Sequence, residues 1–358
     1  PLDLLVVLPN GGAFTLVPTA TANLIHNSPA DIASTIDVYL DGQFLILDDF
    51  SYQTASGLNL FVTRQDAVFG IAPADSEGPE DILFSTDPIT FQDGAFHTII
   101  ANGIPGDPDT PFELVVNTET EILSGAMNEM DITVFHGSQN APAVDVTERQ
   151  LGAQIIDGLP YGEFDGPLSL PAGTYYLEVR PDGADDLVAT FETPLPTDFQ
   201  GSGIVGVASG LVGDEPPFDL LFFDPQGNRL RATPVAQVQV IHNSPDPTVD
   251  VYANDAELIP DFEFRTATGF VDLPTRTDIS IDVAPGDSQS AEDAIATFDG
   301  VRFEDGKKYI VVATGIVGNM DTPFDLAVFD MAQTAAAGSG TDLLFYHGSP
   351  DAPVVDVV

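Results

Sequence analysis

The chain of 358 residues carries 56 acidic side chains against 10 basic ones, which gives a formal net charge of −46. This charge excludes a nucleic-acid-binding protein and contact with an anionic membrane surface, because phosphates would meet a polyanion at every approach. Hydrophobic residues make up 43% of the chain, enough for packed cores, while the lack of cysteine excludes disulfides and zinc–thiolate sites. No apolar run reaches the ~18 residues that a membrane span needs.

Lysine occurs only at Lys307 and Lys308, so nearly every charged surface position is Asp or Glu. Self-repulsion at this density opposes folding unless counter-ions screen it. Concentrated salt would supply the screening, as in a halophilic protein, and calcium held between carboxylates is the alternative. The composition favours an extracellular or cell-surface location in either case.

The chain begins with a segment that resembles the end of a repeat. Residues 1–7 (Pro-Leu-Asp-Leu-Leu-Val-Val) match residues 217–223 (Pro-Phe-Asp-Leu-Leu-Phe-Phe), and each segment starts 25 residues before a histidine. We therefore interpret residues 1–20 as the closing strand of a preceding repeat with its linker. Either the array continues covalently beyond both ends, or its end strands complete neighbouring molecules by strand addition.

A motif of histidine, serine and aspartate then recurs along the chain. The histidines are spaced by 110, 106 and 105 residues, and each is followed by a serine and then by an Asp-Val pair. Self-similarity at a nearly fixed period predicts a repeat array. The motif residues are His26, Ser28 and Asp37; His136, Ser138 and Asp145; His242, Ser244 and Asp250; and His347, Ser349 and Asp356.

A second marker closes each complete repeat. It reads Gly-Ile or Gly-Leu and then Pro-Phe-Asp/Glu-Leu, and it stands at 103–114, 210–220 and 315–326. The two markers together predict three whole repeats, at residues 21–130, 131–234 and 235–341. Residues 342–358 are then the opening strands of a following repeat.

Each repeat reads as a series of short strands. In the third repeat, runs rich in Val, Ile, Phe and Tyr alternate with turns rich in Gly, Pro and Asp, and no amphipathic helix is visible. This pattern predicts an all-β fold of tandem antiparallel β-sandwiches with immunoglobulin-like topology. The predicted strands are 235–242, 249–253, 262–273, 279–284, 294–298, 309–314 and 324–329.

The segments between repeats are short, at 117–131, 224–234 and 331–342. Linkers of this length allow limited bending and hold successive sandwiches close to end-to-end. The expected arrangement is a rod or a string of beads.

The segment His-Gly-Ser-Pro-Asp-Ala-Pro-Val-Val-Asp-Val at 347–357 resembles a motif of tandem domains of unknown function in secreted and cell-surface proteins of bacteria and archaea. The strand start Leu-Pro-Ala-Gly-Thr-Tyr at 170–175 is also similar to that family. The resemblance covers essentially the whole chain and implies β-sandwiches without an assigned catalytic residue. Two departures, a longer loop at 30–35 and Gln139 in place of proline, favour a tolerant structural loop.

The recurring His, Ser and Asp invite comparison with a Ser-His-Asp catalytic triad. No nucleophile elbow or oxyanion hole accompanies them, and every repeat would need its own active site. We therefore predict that the histidine hydrogen-bonds the turn backbone, that the serine supports the turn, and that the protein is not an enzyme.

Acidic loops provide candidate calcium ligands, since calcium prefers hard oxygen donors. No stretch has the spacing of a helix–loop–helix calcium site, and acidic clusters arise by composition alone in such a chain. No cofactor is required on this interpretation, although calcium stays open as a possibility. The candidate ligands lie before the closing strands, at Asp107, Asp109, Asp214, Glu215 and Asp321.

The sequence therefore predicts a non-enzymatic extracellular structural protein, in which sandwiches in series form a stalk, a surface element or a filament. Its expected partner is itself, through self-association or covalent continuation of the array. The alternative is a calcium-dependent adhesin or another surface module that binds a glycan or other ligand.

Overall fold

The computed structural model describes residues 4–63, 65–330, 332–333, 340–349 and 352–356. The predicted closing strand at 1–7 is thus described from Leu4 onward. Pro350, Asp351 and Val357 of the last motif lie outside the described residues. Within the described residues, no helix is long and apolar enough to cross a membrane.

The chain divides into two compact units. The first comprises residues 1–186 and 191–232 and therefore holds repeats 1 and 2. The second comprises residues 187–190 and 233–358 and holds repeat 3 with the opening of the fourth. Thus no boundary between compact units separates repeat 1 from repeat 2.

A hairpin of two strands precedes repeat 1, which itself consists of strands β3 to β12. Short 3-10 turns at Asp31–Ala33 and Pro79–Asp81 lie in its loops. The strands are β1 (Leu4–Val7), β2 (Ala13–Leu16), β3 (Thr19–Asn27), β4 (Thr35–Leu40), β5 (Phe44–Ser51), β6 (Ala55–Val62), β7 (Asp66–Ala67), β8 (Phe69–Pro73), β9 (Phe84–Ser85), β10 (Ile89–Thr90), β11 (Phe96–Asn102) and β12 (Glu113–Asn117).

Repeat 2 consists of strands β13 to β20, followed by β21, which forms a hairpin with β20. A 3-10 turn lies at Thr197–Phe199. The strands are β13 (Glu129–His136), β14 (Val144–Glu148), β15 (Ala153–Leu159), β16 (Phe164–Pro171), β17 (Gly173–Pro181), β18 (Ala189–Leu195), β19 (Gly203–Ser209), β20 (Asp219–Phe223) and β21 (Arg229–Arg231).

Repeat 3 consists of strands β22 to β29, with a 3-10 turn at Ala291–Asp293. The strands are β22 (Thr233–His242), β23 (Val249–Ala253), β24 (Ala256–Phe262), β25 (Ala267–Pro274), β26 (Ile279–Pro285), β27 (Ala296–Val301), β28 (Lys308–Thr314) and β29 (Asp325–Phe329).

Every repeat pairs these strands into the same two sheets, which we call sheet A and sheet B. In repeat 1, sheet A has the order β12-β11-β3-β6 and sheet B the order β5-β4-β8-β9. The corresponding orders are β20-β19-β13-β16 and β15-β14-β17-β18 in repeat 2, and β29-β28-β22-β25 and β24-β23-β26-β27 in repeat 3. The predicted class of tandem all-β sandwiches is confirmed.

Sheet A also contains one parallel pair in each repeat, at β3–β11, β13–β19 and β22–β28. A parallel pair requires a long crossover between its strands. Here the chain travels through sheet B between the two strands. Local alternation of residues carries no information about so distant a partner, so the sequence patterns predicted antiparallel pairing only.

Two strands of repeat 3 differ from the prediction. The run at 262–273, which was predicted as one strand, contains the last residue of β24 and all of β25 except Pro274. The two are separated by a turn in which the Thr266 N–H donates to the Glu263 carbonyl (3.2 Å). Strand β24 contains Pro260 and lies at the edge of sheet B. Proline cannot donate to a ladder and is tolerated at such an edge, which is why this segment reads as a loop.

The core of repeat 1 lies between its two sheets. Ala20, Ala22 and Leu24 alternate along β3 and pack with Phe69 and Ile71 of β8. Successive strand residues point to opposite faces, so Ile25 points away from this core. Ile25 is nevertheless only 1% exposed, and a second apolar layer must cover it.

Candidate functional site

The motif histidine of repeat 1 closes the loop that follows β3. His26 Nε2 lies 2.7 Å from the Ala33 carbonyl oxygen, and Nδ1 accepts a hydrogen bond from the Ser28 N–H at 3.3 Å. A carbonyl oxygen can only accept, so this geometry requires the neutral imidazole with its proton on Nε2. Both ring nitrogens are thus occupied by the backbone of one loop.

The same loop closure recurs in the other copies. His136, His242 and His347 place Nε2 at 2.9, 3.1 and 3.0 Å from the carbonyl oxygens of Pro142, Pro247 and Pro353. In each copy the serine two residues on donates its N–H to Nδ1, at 3.3 to 3.4 Å. The loop closure is therefore common to all four copies.

Burial keeps the imidazoles of His26, His136 and His242 neutral. Loss of solvation lowers the pKa of His26 to about 4, with the hydrogen bond to Ala33 opposing the shift in part. Burial likewise lowers the pKa of His136 and His242. The three rings therefore remain uncharged in the folded protein at neutral pH.

The side chains of the motif serine and aspartate form their hydrogen bonds with other segments. The Ser28 hydroxyl donates to the Gly103 carbonyl (2.6 Å), whereas the Ser138 and Ser244 hydroxyls are buried without a hydrogen-bond partner among the described residues. Asp37, buried in sheet B, accepts from the Asp49 N–H (3.0 Å) and the Ser76 hydroxyl. In repeat 1 the three motif side chains thus act on three different segments instead of forming a relay.

The aspartates of the other repeats tie neighbouring turns in a similar way. Asp250 accepts from the Asp261 N–H (2.8 Å) and the Ser288 hydroxyl (2.6 Å). Asp145 accepts from the N–H groups of Gly158 (2.8 Å) and Gly183 (3.1 Å). In each of these repeats, one carboxylate connects two loops of sheet B.

The acidic loops proposed as calcium ligands are organised around their own backbone. Asp107 accepts from the N–H groups of Asp109 (2.8 Å) and Thr110 (3.3 Å), while Asp214 accepts from the Glu215 N–H (2.9 Å). In repeat 3, Asn319 plays this part and accepts from the Asp321 N–H (2.8 Å). Among the described residues, no three His, Cys, Asp or Glu side chains form a metal-binding group.

Repeats 1 and 2 also contact each other at a junction that lies outside the sandwich cores. Residues on the outward faces of the two A sheets form one apolar cluster. Fully burying one such side chain contributes about 1.5–3 kcal/mol, so the junction stabilises the pair as a core does. The cluster contains Ile25, Ala55, Ile100 and Val115 of repeat 1 and Phe135, Phe164, Val205, Val207, Leu221 and Phe223 of repeat 2.

Equivalent positions of the two repeats meet in this junction. Ile25 pairs with Ile100 and Ala55 in its own sheet, and Phe135 pairs with Val207 and Phe164 at the corresponding register. All six side chains belong to the one cluster. The junction therefore resembles an isologous interface, in which the same patch of each partner is used.

Polar contacts repeat this symmetry. The Tyr52 hydroxyl of repeat 1 lies 2.9 Å from Ser209 Oγ of repeat 2, and Asn102 Nδ2 of repeat 1 donates to the Tyr161 hydroxyl of repeat 2 (2.9 Å). Tyr52 and Tyr161 hold equivalent places beside the motif histidines, each with its ring 6.2 Å from the imidazole. Burial, followed by the negative charge of Glu113, raises the pKa of Tyr161 to about 12.

Asn27 stands at the centre of the junction. Its Nδ2 donates to the Gly137 carbonyl of repeat 2 (3.0 Å) and to Asn102 Oδ1 of its own repeat (2.9 Å). The second unit has the same contact, since Asn243 Nδ2 donates to the Gly348 carbonyl at 2.8 Å. Both bonds connect one repeat to the start of the next.

Two arginines close one edge of the junction. The hairpin β20–β21 carries Arg229, which donates to the Gln53 carbonyl (2.5 Å), and Arg231, which donates to the Gln53 side chain. Arg231 also forms an ion pair with Asp219 at 3.1 Å. Two of the ten basic residues thus stabilise contact between repeats.

Repeat 1 also has an open groove of 440 Å³ on its surface. Its lining is largely apolar, and Ile32 and Leu83 at its wall are 73% and 74% exposed. The other lining residues include Ile36, Ile71, Phe84, Pro105, Pro108 and Phe112.

The sequence analysis predicted the motif residues but not the junction. Asn27, Tyr52, Asn102, Gly137 and Ser209 received no role there. One signal was available, because Leu24-Ile25 and Ile99-Ile100 are apolar at consecutive positions, so both faces of those strands are apolar. Such strands are typical of sheets that are covered on both sides.

Comparison with known proteins identifies a family but no activity. A family model described as "Domain of unknown function (DUF4397)" matches residues 20–147, 130–202 and 236–358. No curated protein matches the chain. Among solved structures, the Bacillus anthracis TIE protein is similar at 9% identity with a TM-score of 0.17, over 84% of this chain and 52% of that one. The chain thus spans about half the length of that protein, and so low a TM-score supports no inference.

Proposed function

Because this chain belongs to the DUF4397 family, whose description assigns no activity, we propose from the geometry that it is a non-enzymatic structural repeat protein of the cell exterior. Its sandwiches in series form a stalk, a surface element or a filament. The single observation behind this proposal is the apolar junction between repeats 1 and 2. A chain of independently tethered domains would not require one.

The junction couples the repeats mechanically. Ile25 and Val207 are each 1% exposed, although both lie on outward faces of their sheets. Bending at the 117–128 linker would expose these side chains to water, and this cost restrains the motion. A stalk or a filament needs junctions that are restrained in this way.

The charge supports an exterior location. A net charge of −46 keeps molecules apart at low ionic strength and allows approach where salt screens it. Contact between chains would then use the hairpin β1–β2, where Leu4, Leu5 and Val7 are largely exposed. An exposed apolar strand pairs readily with a strand of another chain, which makes strand addition our proposed contact for a filament.

Electron microscopy of native material, taken from its own medium without desalting, tests this proposal. We expect fibres or surface stalks with a regular axial repeat. Dispersed single chains in that medium would contradict the structural assignment. Deleting residues 4–7 should abolish polymer assembly, and unchanged assembly would exclude strand addition at this edge.

The groove of repeat 1 favours a second candidate, a surface module that binds a small apolar ligand. Concave and mostly apolar sites are the usual form of small-molecule pockets. A neutral fluorescent probe such as Nile red should bind the full chain, and Leu83→Asp should weaken binding at least tenfold. Leu60→Asp is the matched control, because Leu60 is also 74% exposed but lies outside the groove. Equal effects of the two variants would exclude the groove as the binding site.

A further inference from the structure

The residue at the centre of the junction differs between the two sides. Asn27 follows His26 in repeat 1, and Gly137 follows His136 in repeat 2. Equivalent positions meet across this interface, so these two residues face each other near an approximate two-fold axis. A residue on such an axis must fit against its own counterpart.

Contacts with both repeats, and not its own backbone conformation, favour glycine at position 137. Gly137 does not have a positive φ, so its conformation is open to other residues. A Cβ at this position would lie 2.2 Å from Asn27 Nδ2 of repeat 1, which is its shortest contact, and 2.9 Å from Phe135 Cε1 and 3.1 Å from the Ala208 carbonyl oxygen of its own repeat. The same test at Gly348 places a Cβ 2.2 Å from Asn243 Nδ2 of repeat 3 and 2.7 Å from Tyr346 Cε1.

Because Gly137 has no side chain, its backbone carbonyl is also accessible to Asn27 of repeat 1. Asn27 donates one amide hydrogen to Gly137 and the other to Asn102, so both of its donors are satisfied. Buried donors without acceptors are costly, which makes this contact selective as well as attractive.

The sequence has two types of repeat in alternation. Repeats 1 and 3 read His-Asn-Ser, while repeat 2 and the opening of the fourth read His-Gly-Ser. A second difference follows the same order. The Thr63 hydroxyl donates to Asp93 in repeat 1 and Thr275 donates to Asp305 in repeat 3, whereas repeat 2 has Ala172 at the threonine position.

From these observations we infer that the outward face of sheet A in a His-Asn-Ser repeat is a docking surface for a His-Gly-Ser repeat and rejects a repeat of its own type. This inference rests on the proposed structural function and names the partner of the junction. Two asparagines on the axis would collide, and two glycines would leave the carbonyl without its donor. The structural building block of the array is accordingly a pair of unlike sandwiches.

The second unit supports this rule independently. There the described part of the fourth repeat is short, yet Gly348 already accepts the Asn243 amide. The ring of Tyr346, which is equivalent to Phe135, lies 5.5 Å from the ring of Phe329 in repeat 3. The opening segment of the fourth repeat thus makes with Asn243 the contact that Gly137 of repeat 2 makes with Asn27 in the first unit.

A mutant cycle in the full chain tests the rule. The natural chain has no cysteine, so Val207→Cys introduces a unique thiol on the outward face of repeat 2, where Val207 is 1% exposed. We expect Gly137→Ala to raise the labelling rate of this thiol at least tenfold. Adding Asn27→Gly should lower the rate again by at least threefold, because it removes the collision with Asn27 while the closer packing on Phe135 and Ala208 remains.

Three controls make the result decisive. A thiol introduced by Val179→Cys in sheet B reports unfolding of the whole repeat and should label at an unchanged rate. Gly173→Ala in the same repeat should have no effect, since the nearest atom to its Cβ would lie 3.7 Å away. The swap Asn27→Gly with Gly137→Asn should also restore protection in part, because it again places one asparagine on the axis while the contact of its Cβ with Phe135 remains.

A Gly137→Ala effect that persists fully in the Asn27→Gly background would overturn the rule, as would no effect of Gly137→Ala at all. The cycle is read within single chains and is independent of filament formation. Failure of the pairing rule is therefore distinguishable from failure of the proposed function, which microscopy of native material tests.

Discussion

Repeats 1 and 2 have the same fold but hold their loops together with different hydrogen bonds. In repeat 1 the Tyr39 hydroxyl lies 2.9 Å from Ser76 Oγ, and Ser76 donates to Asp37. Repeat 3 repeats this chain of contacts with Tyr252, Ser288 and Asp250. In repeat 2 the aspartate binds the backbone of two glycines instead. Repeat 1 is thus more similar to repeat 3 than to the neighbour with which it pairs.

This comparison teaches that a shared fold and a shared interface place different demands on sequence. The loop closure by histidine is the same in all four copies, because every sandwich needs it. The contacts that differ follow the alternation of the two repeat types.

The largest expected difference is between Asp37→Ala and Asp145→Ala. Asp37 is 1% exposed, and its loss leaves the half-buried Ser76 hydroxyl and the Asp49 N–H without this acceptor. We expect the free energy of unfolding to fall by about 3 kcal/mol for Asp37→Ala and by about 1–2 kcal/mol for the half-buried Asp145. Urea unfolding of the full chain measures both losses.

Asp48→Ala is the control for the change in charge, because Asp48 is exposed in the same repeat as Asp37. It should change the free energy of unfolding by less than about 0.5 kcal/mol. Equal losses for Asp37→Ala and Asp145→Ala would show that the two networks are energetically interchangeable.

Acid should remove the contribution that the buried motif histidine makes to the free energy of unfolding. Burial lowers the pKa of His26 from 6.5 to about 4, so the unfolded chain binds a proton that the folded chain excludes. This contribution to stability is complete above pH 6.5 and is lost as the pH falls from 6.5 through 4, to an extent of about 3 kcal/mol.

His26→Gln keeps a donor toward the Ala33 carbonyl and cannot titrate. The difference in unfolding free energy between the parent and this variant should shrink between pH 7 and pH 4.5. A difference that stays constant over this range would mean that the folded chain takes up the proton as readily as the unfolded chain.

The threonine contacts offer a smaller and more selective test. Thr63→Ala and Thr275→Ala should each lower the free energy of unfolding by about 1 kcal/mol, because each removes a hydrogen bond to a carboxylate. Ala172→Thr should not stabilise repeat 2, where Gln200 and Gly201 provide no carboxylate. Differential scanning calorimetry would detect either departure from this pattern.

The smallest effects concern the acidic loops. Sodium chloride should raise the Tm of the full chain by screening its charge, and Asp107→Asn combined with Asp109→Asn should change this response little. Calcium chloride at matched ionic strength should act as sodium chloride does, because Asp107 already binds its own loop backbone. A rise specific to calcium that the double variant abolishes would instead support the adhesin alternative.

Local patterns predicted the sandwiches well. Alternation in Ile279–Val283 and the recurring His-x-Ser motif reflect contacts within a few residues, and the structure contains the corresponding strand and the loops closed by histidine. Strand β24 escaped prediction because Pro260 lies inside it. The parallel pairs in sheet A escaped because their strands are distant in sequence.

The junction could not be predicted because its meaning depends on a second repeat. The difference between Asn27 of repeat 1 and Gly137 of repeat 2 has no evident meaning in the sequence. It gains one only when the structure shows that the two positions face each other. The reciprocal contacts of Tyr52 and Tyr161 are invisible for the same reason. Consecutive apolar residues, as in β3 and β11 of repeat 1 and in residues 220–223 of repeat 2, were the trace of the second buried layer in the sequence.

An interface in which each patch meets its own equivalent is the arrangement of a symmetric homodimer. In this chain, residues 117–128 link the two repeats covalently, so the junction forms within one molecule and needs no encounter between two. Short flexible linkers give the two partners an effective concentration of about a millimolar. Pairing is then independent of dilution. Each side of the axis is also encoded separately, so that a duplicated gene can place asparagine on one side and glycine on the other, which no homodimer can do.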